Sequence, residues 1–336
     1  MVRFKVTLMS VVVLAVFTAP LPAQTKKNSG NPLVTALRFA QQFAKPDALT
    51  PAKDADLKLT LIRALRAKPA GLGWNALSDL FDKDTFEKLA GEDKQISLEK
   101  MQRMLQDTVP GSRSDLFPSV RRHADLLTTQ FDLIDEPHRA AGADLVSWIA
   151  TKYQPGKRTP VVVICTGNSR RSMLGAAMGN VAAAYYGLPD LRFFSGGTSP
   201  SAFNSRTIAT LKAIGFAIEA TGKQAPPGKS GDKNPIYRVQ WGKGLEGLEF
   251  SKVYGDDYNP KTGFAAILVC SEADASCPVV PGASIRISAP YIDPRLYDGA
   301  EFEPGKYAER RDDIGRLMLS SVMQARRRLE LEGKLK

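Results

Sequence analysis

Pro160-Val161-Val162-Val163-Ile164-Cys165-Thr166-Gly167-Asn168-Ser169-Arg170-Arg171-Ser172 is the stretch on which the fold turns. Its first five residues are apolar and mostly β-branched, the composition of a strand buried in a parallel sheet. The run breaks at a polar segment containing Gly167, and the alanine-rich stretch from Ser172 to Tyr186 then reads as a helix. Strand, short loop and helix are the opening of a βαβ unit. Outward from it the alternation continues. Leu191 to Ser195 reads as a strand, Arg206 to Phe216 as a helix and Phe264 to Cys270 as a second buried strand. Ser284 to Ser288 is short and strand-like, and Tyr307 to Leu331 is a long terminal helix. The expected class over residues 158–336 is α/β, a parallel sheet with helices on both faces. Residues 217–263 interrupt the alternation with Pro226-Pro227-Gly228, the strand-like Ile236 to Trp241 and the turn signal Gly255-Asp256-Asp257. Such a segment suits a β-hairpin or a flap beside the loop.

The chain of 336 residues has room for more than this unit. Residues 1–23 read as a secretory signal. Arg3 and Lys5 precede a largely apolar run from Val6 to Ala19, and Leu21-Pro22-Ala23 offers small-residue cleavage. The expectation is an exported, periplasmic protein with no stable membrane span after cleavage. Residues 24–153 read as an all-α domain. Ala36, Phe39, Ala40 and Phe43 share one helix face; Leu57 to Leu65 and Leu77 to Phe86 suggest further helices. Ile96 to Leu105 and Val120 to Phe131 continue the pattern, and Pro137 opens a helix that buries Leu145, Trp148 and Ile149. Gln154-Pro155-Gly156-Lys157 is the expected linker. The helical half carries no constellation of reactive residues and points to no particular partner.

Composition excludes several chemistries. The two histidines, His123 and His138, are too few for a three-histidine metal site or an H-E-x-x-H protease. Three cysteines are too few for a disulfide scaffold or a four-cysteine zinc site. No metal and no cofactor are expected. Lys plus Arg total 46 against 35 acidic residues, a net charge of +11, but no run of five basic residues occurs. The excess reads as a solvated basic surface, not as a nucleic-acid interface.

The loop itself carries chemistry. In Cys165-Thr166-Gly167-Asn168-Ser169-Arg170-Arg171-Ser172 a cysteine and an arginine bracket five residues between a strand and a helix. Such a loop curls so that its backbone N–H groups converge at the positive end of the helix, where a tetrahedral oxyanion binds. Gly167 is expected to take backbone angles closed to other residues. Arg171 clamps two oxygens, and Ser172 donates a hydrogen bond to a Cys165 thiolate. A thiol of pKa ~8.5 falls to ~3.5–7.5 in such a field, which makes it a nucleophile at neutral pH.

These residues resemble the catalytic loop of the low-molecular-weight protein tyrosine phosphatase superfamily, and Cys165-Thr166-Gly167-Asn168-Ser169 is most similar to the thioredoxin-coupled arsenate reductases. Further matches follow in the family's order: Phe194-Ser195-Gly196-Gly197-Thr198, then Pro200-Ser201-Ala202 and Asn204 ahead of Ala209-Thr210-Leu211-Lys212. Val269-Cys270, Cys277-Pro278 and Asp293-Pro294 complete them. The resemblance covers about residues 158–332 and implies roles. Cys165 is the nucleophile, Thr166 to Ser172 with Arg171 bind the oxyanion, and Asp293 protonates the leaving group. In a reductase, Cys270 would attack the Cys165 adduct and Cys277 would then take the disulfide, for a thioredoxin-like partner to reduce. Asp298, Asp312 and Asp313 are alternative acids, and Asp293 is equally placed to cap a turn before Pro294. The chain also departs from the pattern. Arg170 stands where the reductases carry another cysteine, Ala176 where potassium-binding members carry an acid, and Arg295 where the phosphatases carry an aromatic residue.

The resemblance therefore implies an arsenate reductase-like enzyme first. Phosphomonoester hydrolysis through a phosphocysteine comes second, and a non-enzymatic oxyanion-binding module third. Outside the cytoplasm, a reductase also needs a source of electrons.

Overall fold

The computed structural model describes residues 65, 68–77, 83–98, 100, 115–228, 231–276 and 279–335. The expected signal segment 1–23, the helix around residues 36–43, nearly all of 57–65 and Cys277 lie outside these residues. The chain divides into two compact units, Met1–Val109 and Pro110–Lys336.

In the first unit a short antiparallel pairing joins β1 (Leu72–Gly73) to β2 (Gln95–Ile96). Helices α1 (Trp74–Leu77) and α2 (Lys83–Ala90) lie between them in sequence. Leu72, Leu77, Phe86, Ala90 and Ile96 are buried, and Trp74 meets Phe86 edge-on at 5.4 Å. The described part of this unit is thus not wholly helical. Ile96, read as the start of a helix, is strand instead, because it pairs with Leu72.

The second unit begins before the expected linker. It includes α3 (Pro118–Thr128) and α4 (Glu136–Lys152), which the sequence reading assigned to a separate helical domain. Asp135 caps α4, its carboxylate accepting from the His138 N–H at 3.0 Å. Next come β3 (Thr159–Cys165), α5 (Arg171–Tyr185), β4 (Leu191–Gly197) and α6 (Ser205–Lys212). An inserted antiparallel sheet follows: β5 (Ala217–Ala225), β6 (Asn234–Gly242) and β7 (Leu245–Glu249). The chain ends with β8 (Phe264–Leu268), α7 (Ser271–Ser276), β9 (Ala283–Ser288) and α8 (Glu303–Leu331).

β3, β4, β8 and β9 form one all-parallel sheet in the order β4-β3-β8-β9, flanked by helices. Val161 to Ile164 and all of β8 are fully buried. From β3 the chain crosses to β4 on one side, while β8 lies on the other. Connections therefore leave the carboxyl ends of β3 and β8 in opposite directions and open a crevice there, the position where such sheets bind ligands.

Helix α5 is buried along its whole length. Its small residues permit that. A Cβ on Gly179 would lie 2.3 Å from the Phe193 ring, and one on Gly175 would lie 2.6 Å from Val163. Helix α8 packs on the far side of α5 and also meets α3 and α4. Gly142 lets α4 approach Leu317 and Ser321, and Gly315 lets α8 approach Leu127 and Met178. Polar ties reinforce the contacts. Tyr185 donates to Asp125 at 2.7 Å, Trp148 to Ser284 at 2.7 Å and Arg316 to Gln130 at 2.9 Å. The apolar faces of α3 and α4 are core of the α/β unit, which is why the boundary falls near Pro110 and not at Gln154–Lys157.

Gly179→Ala is expected to destabilise the protein by about 1–3 kcal/mol, the usual cost of forcing a methyl into a filled core. Urea unfolding followed by circular dichroism measures it.

Candidate active site

Cys165 is the last residue of β3 and Arg171 the first of α5, so the loop between them lies at the mouth of the crevice. Apart from that of Asn168, its carbonyl groups are turned outward and bound. Cys165 O accepts from Thr198 N at 3.1 Å, and Thr166 O accepts from Thr198 N at 3.0 Å and Ser199 N at 2.9 Å. Gly167 O accepts from Ser201 N at 3.0 Å, Ser169 O from Asn204 N at 3.2 Å, and Arg170 O from Leu174 N at 2.9 Å. In a trans peptide the carbonyl and the next N–H point in opposite directions. Each outward carbonyl therefore aims the following amide inward. Among the described residues, the backbone N–H groups of Thr166 to Arg171 have no acceptor. Converging donors of this kind make an anion-binding concavity.

Gly197, at the end of β4, is what lets the neighbouring strand reach the loop. A Cβ there would stand 2.6 Å from Thr166 O and 2.9 Å from Asn168 N. Within the loop the left-handed residue is Asn168, with φ +40°, not Gly167 as the sequence reading expected. Asn tolerates this region better than most residues, and its side chain is held on both ends here. At Gly167 a Cβ would make only an ordinary contact with the Ser201 hydroxyl, at 3.4 Å.

Cys165 Sγ lies 3.0 Å from Ser172 Oγ. Asn168 Nδ2 donates to the same Oγ at 2.9 Å, which leaves the Ser172 hydroxyl hydrogen free to point at sulfur. All three side chains are buried.

Arg171 is also buried. Its Nη1 donates to Tyr291 O at 2.8 Å and its Nη2 to Asp293 Oδ2 at 2.7 Å. Glu272 stands farther off, 3.9 Å from Nη2. Guanidinium has five donors, so these two bonds position Arg171 and leave others for an anion. Asp293 has two attachments, since its Oδ1 also accepts from Arg295 N at 3.0 Å and caps the 3₁₀ turn Pro294–Tyr297. The capping reading and the site reading thus describe one carboxylate. The other aspartates are engaged elsewhere. Asp298 bonds Arg170 and Tyr307, Asp312 bonds His123 and Arg311, and Asp313 bonds Arg310 and Arg316.

The Arg170 side chain does not join the loop interior. Its Nε donates to the Tyr307 hydroxyl at 2.7 Å and its Nη2 to Asp298 at 3.2 Å. Only its backbone remains part of the anion nest. Burial pushes Tyr307 up to about 12, with its hydrogen bond to Asp298 adding to the shift and Arg170 opposing it.

Cys270 lies two residues beyond β8, on the strand next to β3. Val269 N donates to Ile164 O at 2.9 Å, which draws this segment alongside the start of the loop. Cys270 Sγ is fully buried, 3.5 Å from Thr166 Oγ1, and accepts from Ala273 N at 3.4 Å. Burial raises the Cys270 thiol above its ordinary value, while Thr166, the Ala273 N–H and Arg171 oppose the rise. Cys165 and Cys270 are both free thiols. The short helix α7 that follows is tied to β9 through Asp274, which accepts from Arg286 at 2.6 Å and Ser288 at 2.8 Å. Cys277 is outside the described residues. Ala176 is buried inside α5. Among the described residues no cluster of three His, Cys, Asp or Glu side chains converges to hold a metal ion.

The sequence reading missed the Tyr291 carbonyl as the second anchor of Arg171, as well as Tyr307. A carbonyl leaves no signature in residue type, and by sequence Tyr307 reads only as the start of a helix.

Arg171→Lys is expected to weaken phosphate or arsenate binding by tenfold or more. An ammonium is a point charge and cannot span Tyr291 O, Asp293 and the anion as the planar fork does. Isothermal titration with inorganic phosphate measures the change.

Neither a scan against protein-family models nor a search of curated proteins returned a match to this chain.

Proposed function

We propose that the protein is a cysteine-dependent oxyanion enzyme in which Cys165 forms a covalent adduct with a tetrahedral oxyanion, acting as an arsenate reductase. The observation that carries the reading is the loop's inward-facing amides, without acceptors, surrounding a thiol bonded to Ser172. The amides and Arg171 bind the anion, and Cys165 attacks arsenic. The displaced oxygen leaves with a proton from Asp293, whose carboxyl is held by Arg171 at the same site.

The position of Cys270 beside Thr166 supports the reductive branch. A Cys270 thiolate attacks Cys165 sulfur, and an S–S bond forms as the sulfur–arsenic bond breaks. The bonding pair departs with arsenic, which passes from As(V) to As(III) and leaves as arsenite. Cys277 then attacks Cys270 and frees Cys165, and a thioredoxin-like dithiol reduces the Cys270–Cys277 disulfide. No metal or cofactor enters this scheme.

Phosphomonoester hydrolysis is the second reading, since it needs only the loop, Arg171, Cys165 and Asp293 and no second thiol. There the leaving alcohol takes the Asp293 proton, and water resolves the phosphocysteine. The same purified protein tested for arsenate reduction with a dithiol, and for aryl phosphate hydrolysis without one, decides between them.

Cys165→Ser is expected to abolish both activities while phosphate binding persists, because amides and Arg171 hold the anion and the thiolate alone does covalent work. Turnover by the purified variant would remove Cys165 from its role.

Cys270→Ser and Cys277→Ser should each stop multiple-turnover arsenate reduction and leave aryl phosphate hydrolysis nearly intact. Cys277→Ser should trap a Cys165–Cys270 disulfide, read by peptide mass spectrometry. Burial holds the Cys270 thiol high, so its thiolate fraction, and with it the rate of trapping, should rise with pH from 7 toward 9. A flat profile would show that Cys270 is not the attacking thiol.

A further inference from the structure

The inserted sheet β5-β6-β7 is not a free flap. The segment leaving it, Phe250 to Tyr254, runs against the loop. Ser251 Oγ donates to Gly167 O at 3.0 Å and accepts from Ser201 N at 2.9 Å. Lys252 N donates to Asn168 Oδ1 at 2.8 Å, and Lys252 O accepts from Gly197 N at 2.9 Å. Ser251 is held in turn by Asn234, the first residue of β6. Asn234 Oδ1 accepts from Ser251 N at 3.0 Å, and its Nδ2 donates to Ser251 O at 2.7 Å and to Pro226 O at 3.0 Å. Asn234 and Ser251 are both almost fully buried. The turn after β5 is pressed onto the same place, because a Cβ on Gly228 would lie 2.5 Å from Pro200 O and from Ser201 Cα.

We propose that Asn234 and Ser251 are positioning residues, through which the inserted sheet sets the shape of the anion-binding loop. The proposal rests on reading that loop as the oxyanion site. The Ser251 hydroxyl joins Ser201 N and Ser201 Oγ, at 3.0 and 3.2 Å, in keeping the Gly167 carbonyl turned out, and the trans peptide then aims Asn168 N–H inward at the anion. Asn234 fixes Ser251 by bonding its backbone on both sides. The next residue completes the hold. A backbone N–H only donates, so Lys252 N fixes Asn168 Oδ1 and turns Asn168 Nδ2 toward Ser172. The Ser172 hydroxyl is thereby directed at Cys165. A segment inserted well after the loop in sequence thus acts on both the anion and the sulfur.

The test uses the full chain and reads alkylation of Cys165 by iodoacetate, with the site located by peptide mass spectrometry. Protection by inorganic phosphate gives a binding constant, and the rate against pH gives the titration of the thiol. In Ser251→Ala and Asn234→Ala the phosphate constant should weaken about three- to tenfold, the effect of one hydrogen bond. The alkylation profile should also move to higher pH, with the circular dichroism spectrum unchanged. Ser251→Cys keeps the volume and loses the strong donor; it should behave as Ser251→Ala does, and replaces it if the alanine variant does not fold. Folded variants with the wild-type constant and profile would overturn the brace alone. A wild-type protein that phosphate and arsenate both fail to protect would overturn the oxyanion reading, and the brace with it.

Discussion

The carbonyl groups of Cys165, Thr166, Gly167, Ser169 and Arg170 are all bound by chain that lies outside the loop interior. Everything else at the site depends on that arrangement. A peptide plane has one carbonyl and one N–H, on opposite sides, and satisfying the first outside the loop commits the second to the inside. The loop becomes a cluster of donors with no acceptor of its own. The anion binding proposed for it would therefore come from backbone orientation more than from charged side chains. Arg171 adds a buried cation, and even that is held in place by a backbone carbonyl, Tyr291 O.

The parallel sheet supplies the surroundings in which this is possible. β3 is an inner strand, so its carboxyl end is flanked by the ends of β4 and β8, and the chain beyond each runs alongside the loop. On the β4 side, Gly197 and Thr198 come close enough to bind the loop carbonyls because Gly197 has no Cβ. On the β8 side, Val269 and Cys270 pass the base of the loop, bringing a second thiol to it. Helix α5, beginning at Arg171, is clamped between sheet and α8, so the loop is fixed at both ends. The helices before the sheet contribute too. His138 of α4 stacks on Tyr291 at 4.0 Å and bonds Pro290 O at 3.2 Å, against the segment that carries Asp293.

Beneath the loop lies a buried charge cluster. Lys252 Nζ approaches Ser195 Oγ at 3.2 Å and Glu249 Oε2 at 3.3 Å, and Ser195 donates to the same carboxylate at 2.7 Å. Burying an ion pair costs desolvation that only good geometry offsets, so its value here is in fixing position more than in stability. It holds the turn that presents Lys252 N to Asn168. The cluster borders a cavity of about 120 Å³ lined by Met173, Phe193, Leu211 and Trp241.

The buried strand at Val161–Ile164, the loop Cys165–Arg171 and the alternation of strand and helix are legible in residue type and spacing. These are local patterns, carried by β-branched runs, a helix of small residues and the fixed spacing of cysteine and arginine. The remaining features depend on contacts between segments distant in the chain. Helices α3 and α4 looked like any amphipathic helices, and periodicity shows that a face is buried without showing against what. Their glycine and apolar contacts with α8 made them part of the α/β unit. Arg170 and Arg171 are adjacent and chemically identical, yet one turns to Tyr307 and Asp298 and the other to Tyr291 and Asp293, because successive side chains at the start of α5 point in different directions. Asn234 and Ser251 are ordinary residues in an insertion. Their part in the loop exists only through hydrogen bonds between segments far apart in the chain, and residue type does not record such bonds.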